Sequence, residues 1–180
     1  MLRRDDAALV VIDIQDKLMP KREGVAEEVI SKTARLVKVA QGLGIPVLVT
    51  EQNPEKLGAT TATLVEALGD TPRLGKMEFG CTANADFVKA LEATGRKQLL
   101  ITGVEAHICV LQTALGAKER GLEPFVVQDA VASLDEREQT AGIRRMERDG
   151  AEIVTTQMAI FELLGAAGTP EFRQLMPLLK

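Results

Sequence analysis

The chain of 180 residues is poor in the side chains that do chemistry or stack on bases. It has no Trp, no Tyr and five Phe, so the aromatic platforms on which single-strand binders stack bases are missing. A single histidine, His107, rules out any metal site built on two or more imidazoles. The serines are Ser31 and Ser133, and neither sits in a G-x-S-x-G elbow, which removes a Ser-His-Asp hydrolase of that type. Cys81 and Cys109 make no C-x-x-C and no disulfide framework. No stretch approaches the roughly 18 apolar residues of a membrane span. The opening MLRRDDAALVVID is interrupted too soon to read as a signal peptide. A reducing, cytoplasmic setting with no membrane partner is the expectation. With 22 Lys and Arg against 26 Asp and Glu, the net charge of −4 argues against a nucleic-acid face, which needs a basic stripe.

What is present is ordinary for one globular domain, predicted to span 1–180, with 46% hydrophobic and 27% charged residues. Short apolar runs alternate with longer amphipathic stretches. Ala7–Asp13 is a continuous apolar run closed by an acid, as in a strand buried on both faces. Further strands are predicted at Pro46–Thr50, Gln98–Thr102, Pro124–Gln128 and Glu152–Thr155. Helices are predicted at Val25–Gln41, from Thr60 or Thr61 to Leu68, and at Ala85–Ala93, Ala106–Arg120 and about Asp135–Asp149. Two helical pieces follow at the C-terminus, and Asp70–Gly80 reads as irregular, with Pro72 and nearby glycines. Strand–helix alternation of this kind implies an α/β fold, a doubly wound, mostly parallel sheet with helices on both faces. No internal repeat, low-complexity run or linker interrupts it.

In such a sheet a site lies outside the carboxyl ends of the strands. Asp13 closes the first strand, as a general base or as a simple turn residue. Cys109 falls in the first turn of the helix after Gln98–Thr102, where the free N–H groups and the dipole favour a thiolate. The alternative is a small core residue among Ile108, Val110, Leu111 and Leu115. Lys76 is a surface lysine unless its Gly-flanked loop folds over the strand ends, where an ammonium would lower the thiol pKa and hold Asp13. His107 stands about 200° round an ideal helix from Cys109 and reads as structural. Cys81 begins a helix in a polar setting with no evident base. Arg144–Arg148 is a solvated helix face.

Taken together, Val10-Val-Ile-Asp-Ile-Gln-Asp16, the loop Lys76 and Thr102-Gly-Val-Glu-Ala-His-Ile-Cys-Val-Leu-Gln-Thr113 resemble the isochorismatase-like cysteine hydrolases. That superfamily includes nicotinamidases, N-carbamoylsarcosine amidases and isochorismatases. The similarity runs from about Ala7 to Phe161, and Thr50-Glu-Gln-Asn with Gly58-Ala-Thr looks most like the isochorismatase-domain-containing branch. The resemblance implies an isochorismatase-like three-layer α/β/α fold. It makes Cys109 the nucleophile, Asp13 the base and Lys76 the third triad member. It also implies a non-proline cis peptide at Val104–Glu105 that aims N–H groups, that of Cys109 among them, at the oxyanion. Thr50-Glu-Gln-Asn-Pro-Glu-Lys-Leu57 contains no histidine, so the nicotinamidase type of metal site is expected to be absent and no cofactor is implied. Isochorismatases acting on an enol ether lack the cysteine, so its presence favours chemistry at a carbonyl.

The expected activity is therefore cleavage of an amide or carbamoyl C–N bond in a small-molecule substrate. A non-catalytic scaffold of the same fold, or a thiol redox protein using Cys109, is the alternative. Gln15, Asn53 and Phe79 lie in loops expected to line the crevice, and Gln112 and Thr113 follow Cys109 on its helix face. Each is equally readable as a solvated or packing residue. The family is usually oligomeric, so a homo-oligomer is expected. The apolar Phe161–Leu179 segment would serve a subunit contact or cap the sheet.

Overall fold

The computed structural model describes residues 1–179. Six strands form one parallel sheet: β1 (Ala7–Ile12), β2 (Val47–Gln52), β3 (Arg73–Lys76), β4 (Gln98–Val104), β5 (Glu123–Ala132) and β6 (Glu152–Val154). Their spatial order is β3-β2-β1-β4-β5-β6. The chain winds outward from β1 to β3, returns to place β4 beside β1, and winds outward the other way. The order therefore reverses between β1 and β4, and the crevice at their carboxyl ends is where an open α/β sheet binds ligands.

The all-apolar sequence of β1 follows from its central position. Ala7, Leu9 and Val11 enter the core on one face, while Ala8, Val10 and Ile12 enter the core on the other. The first face is covered by α1 (Val25–Gly42), α3 (Ala62–Leu68), α7 (Thr156–Leu164) and α8 (Pro170–Leu175). The second is covered by α4 (Ala85–Thr94), α5 (Leu111–Glu119) and α6 (Glu136–Arg148). A short α2 (Pro54–Leu57) follows β2. The C-terminal segment caps the sheet on the α1 side: Leu163 and Leu175 are buried, and Leu175 packs close to Gly42. Phe161 stays about half exposed.

Two differences from the sequence expectation bear on the site. The segment read as irregular contains the edge strand β3, which pairs Val49↔Arg73 through Gln52↔Lys76. Arg-Leu-Gly-Lys has no apolar run because an edge strand is only half covered. Second, the stretch predicted as one helix from Ala106 opens as a π-helical turn, Ala106–Val110, before α5 begins at Leu111. Hydrophobic periodicity does not distinguish such a turn from ordinary helix.

Glycine lets the backbone approach closely at two places. At Gly103 (φ +130°) a side chain would collide with the Ile12 carbonyl, so β4 passes tight against the end of β1. At Gly142, on α6, an added Cβ would stand 2.8 Å from the His107 Cα, so α6 lies directly on the π-turn.

Candidate active site

Three adjacent strands each deliver a charged or polar side chain to the same buried point. Asp13 follows β1 in the left-handed region (φ +53°), which an Asp tolerates better than most side chains. Its N–H donates to the Thr50 carbonyl (3.1 Å) and its own carbonyl accepts from the Gln15 N–H (2.8 Å). The carboxylate is fully buried. Oδ1 accepts from the Thr50 hydroxyl at 2.8 Å and Oδ2 from the Lys76 ammonium at 2.6 Å. Thr50 and Gln52 alternate along β2, so both face this point.

Lys76 ends the edge strand with its side chain 1% exposed, not solvated. Its Nζ donates to Asp13 Oδ2 and Gln52 Oε1, both at 2.6 Å, and reaches the carbonyls of Glu78 and Phe79 at 3.1 Å. Four acceptors share three protons, so this ammonium has none to spare. It is a clamp that ties the loop after β3 to the general-base candidate.

Cys109 sits in the π-turn after β4, 4% exposed. A non-proline cis peptide precedes that turn at Val104–Glu105. The N–H groups of Ile108 and Val110 both donate to the Glu105 carbonyl, at 3.1 and 3.2 Å. Thr113 Oγ1 donates to the Cys109 carbonyl (2.7 Å) and accepts from the Cys81 N–H (2.9 Å). Cys109 and Asp13 are near enough that each shifts the other's proton affinity.

The electrostatics correct one expectation. Burial and the negative charge of Asp13 push the Cys109 thiol up to about 12, and Lys76 opposes them without prevailing. The expected lowering by a helix N-terminus and a neighbouring cation is overridden, because that cation is already spent on the carboxylate. Burial raises Asp13 as well, against the pull of Lys76, Thr50 and Cys109. The resting site thus pairs a neutral thiol with a carboxylate made more basic than usual.

The remaining expected residues fall in different places. The Gln15 amide is spent inside the protein: Nε2 donates to the carbonyls of Gln52 (3.0 Å) and Gly58 (2.5 Å), and Oε1 accepts from the Gln52 N–H (2.7 Å). Thr113 is equally committed. Asn53 (φ +39°) borders a cleft of about 490 Å³ with Gly75, Lys76, Met77, Glu78 and Asn84. The Phe79 side chain is half exposed while its carbonyl holds Lys76. Gln112 is exposed and lies over Gly80. His107 bonds Ser133 Oγ (2.9 Å) and approaches Glu105 Oε2 (3.5 Å) through the same nitrogen, Nδ1, which is no serine–histidine relay.

Sequence reasoning missed Thr50 and Gln52 and set Cys81 aside as a helix-start residue in a polar setting, whereas it is wholly buried. Polar residues two apart at the carboxyl end of a buried strand were a usable signal for the first two. Cys81 gave none, since only tertiary structure brings its Sγ within 3.6 Å of Thr50 Oγ1. Among the described residues, no group of three or more His, Cys, Asp or Glu is arranged to hold a metal ion, and no helix is long and apolar enough to cross a membrane.

An α/β sheet with Asp, Lys and Cys gathered at its switch point defines a class of enzyme-like domain, and comparison with known proteins identifies the family. The isochorismatase domain model matches residues 7–158, and the chain belongs to that family, the isochorismatase-like hydrolases. It is 35% identical over 156 residues to the secreted isochorismatase effector Isc1 of Phytophthora sojae, covering 84% of this chain and 74% of that one. Among solved structures, it superimposes on the MAR1 ribonuclease of Caenorhabditis elegans with a TM-score of 0.90 and 33% identity, covering 99% of this chain and 91% of the other. It also superimposes on the Escherichia coli YcaC gene product, described as an octameric hydrolase of unknown specificity, with a TM-score of 0.85 and 28% identity over 99% and 86% of the two chains.

Proposed function

We propose that this chain is a cysteine hydrolase that cleaves the C–N bond of a small amide or carbamoyl compound through a Cys109 acyl-enzyme. The observation that carries the reading is the burial of Asp13, Lys76 and Cys109 at one point, with the acid held on both oxygens. Asp13 takes the Cys109 proton as the sulfur attacks the substrate carbonyl carbon. The C–N bond then breaks and the leaving nitrogen takes that proton from Asp13. Asp13 next deprotonates a water molecule that attacks the thioester. The C–S bond breaks, the acid leaves, and the proton returns to sulfur. Lys76 stays protonated throughout and balances whichever neighbour is anionic. Because the resting thiol is neutral, proton transfer accompanies attack, and the backbone N–H of Cys109 serves the oxyanion.

Asn53 and Phe79 are assigned to the substrate side of the site and Gln112 to its outer edge. Gln15 and Thr113 are assigned to holding its walls. The octameric state described for YcaC supports a homo-oligomer, and a catalytic free thiol supports a reducing, cytoplasmic setting, although the oomycete relative is a secreted protein. The ribonuclease activity named for the nematode neighbour is that protein's and is not carried over, since a net charge of −4 argues against holding a phosphate backbone.

The test is ammonia release from a panel of small primary amides and carbamoyl compounds, with mass spectrometry of the Cys109 peptide. Turnover with an acyl adduct at Cys109, lost in Cys109→Ala and reduced about 10²–10⁴-fold in Asp13→Asn, is expected. A Cys109 that forms a sulfenate under mild peroxide but no acyl adduct with any amide makes the protein a redox one instead. A Cys109 inert to both makes it a scaffold.

A further inference from the structure

Cys81 is the second cysteine, and nothing in the proposed chemistry uses it. It is wholly buried, and burial together with the charge of Asp13 holds its thiol up at about 11. Its Sγ lies 3.6 Å from Thr50 Oγ1, close enough for a sulfur hydrogen bond, and both atoms carry a proton to give. The surroundings decide the direction. An ionised carboxylate only accepts, so Thr50, 2.8 Å from Asp13 Oδ1, gives its one proton to the acid. The Thr50 oxygen is left as an acceptor, and Cys81 S–H must be the donor.

We propose that Cys81 is a positioning residue for the Asp13 base, acting through Thr50. The inference rests on the reading of Asp13 as that base. Cys81 S–H donates to Thr50, Thr50 O–H donates to Oδ1, and Lys76 donates to Oδ2. The carboxylate plane is pinned from both sides and cannot turn away from Cys109. The backbone of the same residue steadies the other partner, since the Cys81 N–H donates to Thr113 Oγ1 and Thr113 donates to the Cys109 carbonyl. Cys81 therefore ties base and nucleophile together from both its ends. The charged and titratable groups acting on it are Asp13 and Lys76, those acting on Asp13 are Lys76 and Cys109, and Cys81 itself acts on Cys109.

The experiment uses the full chain as wild type, Thr50→Val, Thr50→Ser and Cys81→Ala, each checked for folding by circular dichroism and urea denaturation. The first readout is the infrared S–H stretching band of Cys81, isolated by subtracting the Cys81→Ala spectrum. A band lowered by hydrogen bonding in the wild type, rising towards the free-thiol position in Thr50→Val, is expected. The second is the pH profile of Cys109 alkylation by iodoacetamide, whose acid limb reports protonation of Asp13. Loss of the hydroxyl donor raises the proton affinity of Asp13, so Thr50→Val moves that limb up by about one pH unit. Cys81→Ala moves it the same way by about half as much, and Thr50→Ser restores it.

A free-thiol S–H band in the wild type overturns the proposal, as does an acid limb that stays put in both Thr50→Val and Cys81→Ala. Failure of the function reading looks different: Cys109 is then unreactive in the wild type, while the S–H band still decides the role of Cys81.

Discussion

Replacing Lys76 by Met removes the one cation that neutralises Asp13. The ammonium makes buried contacts at 2.6 Å to Asp13 Oδ2 and Gln52 Oε1 and partly buried ones at 3.1 Å to two carbonyls. Removing one partner of a buried pair costs about 3–5 kcal/mol, because the other charge stays behind. Asp13 escapes part of that cost by taking a proton, and burial already raises its proton affinity. The sign of the pH dependence follows. Without Lys76 the folded carboxyl holds its proton to higher pH than the unfolded one, so folding loses about 1.4 kcal/mol for each pH unit climbed between the two pKa values. The deficit is therefore largest at neutral pH and shrinks in acid.

Urea denaturation of wild type and Lys76→Met at pH 5 and pH 7.5 reads this directly. The expected deficit is about 3–5 kcal/mol at pH 7.5, narrowing by at least about 1 kcal/mol at pH 5. Adding Asp13→Asn, which leaves no charge to bury, recovers part of the loss. A deficit below about 1 kcal/mol, or one equal at the two pH values, refutes the clamp and leaves Lys76 as a loop tether only.

Two further outcomes follow from the same packing. Gly142→Ala places a Cβ 2.8 Å from the His107 Cα, and α6 must move off the π-turn that carries Cys109. A loss of about 1–3 kcal/mol in urea and slower Cys109 alkylation are expected, whereas a gain of about 1 kcal/mol from helix propensity alone shows the contact to be soft. Cys81 and Cys109 are held at about 11 and about 12 against an ordinary thiol value near 9. Between pH 9 and 11 the unfolded chain ionises first, so stability falls by about 1.4 kcal/mol per pH unit for each thiol. Cys81→Ala should roughly halve that slope in urea titrations, and an unchanged slope removes Cys81 from the account.

The sequence by itself determined the layers of the sheet and pointed to the candidate residues of the site. Continuous apolar runs such as Ala7–Ile12 had the pattern of strands covered on both faces, and their alternation with amphipathic helices implied a doubly wound sheet. The Asp after the first strand and the Cys in Thr-Gly-Val-Glu-Ala-His-Ile-Cys stand at the carboxyl ends of predicted strands, where a site in such a sheet is expected. Their order along the chain, with a lysine between, was enough to point to the isochorismatase family.

Only the tertiary structure decided how those groups behave. Taken alone, without the resemblance, Lys76 read as a surface lysine because β3 is an edge strand of four mixed residues, and its register against Gln52 is a long-range fact. The π-turn under Cys109 lies against α6 across Gly142, a contact between segments far apart in the chain. The thiol is raised and not lowered because charge is a sum over neighbours: burial and Asp13 outweigh an ammonium already engaged by the acid. Cys81 and Thr50, 31 residues apart in the chain, meet only when β2 and the turn before α4 close over Asp13. Local pattern dictates which residues face inward, but proton affinities and hydrogen-bond directions belong to contacts that no short stretch of sequence contains.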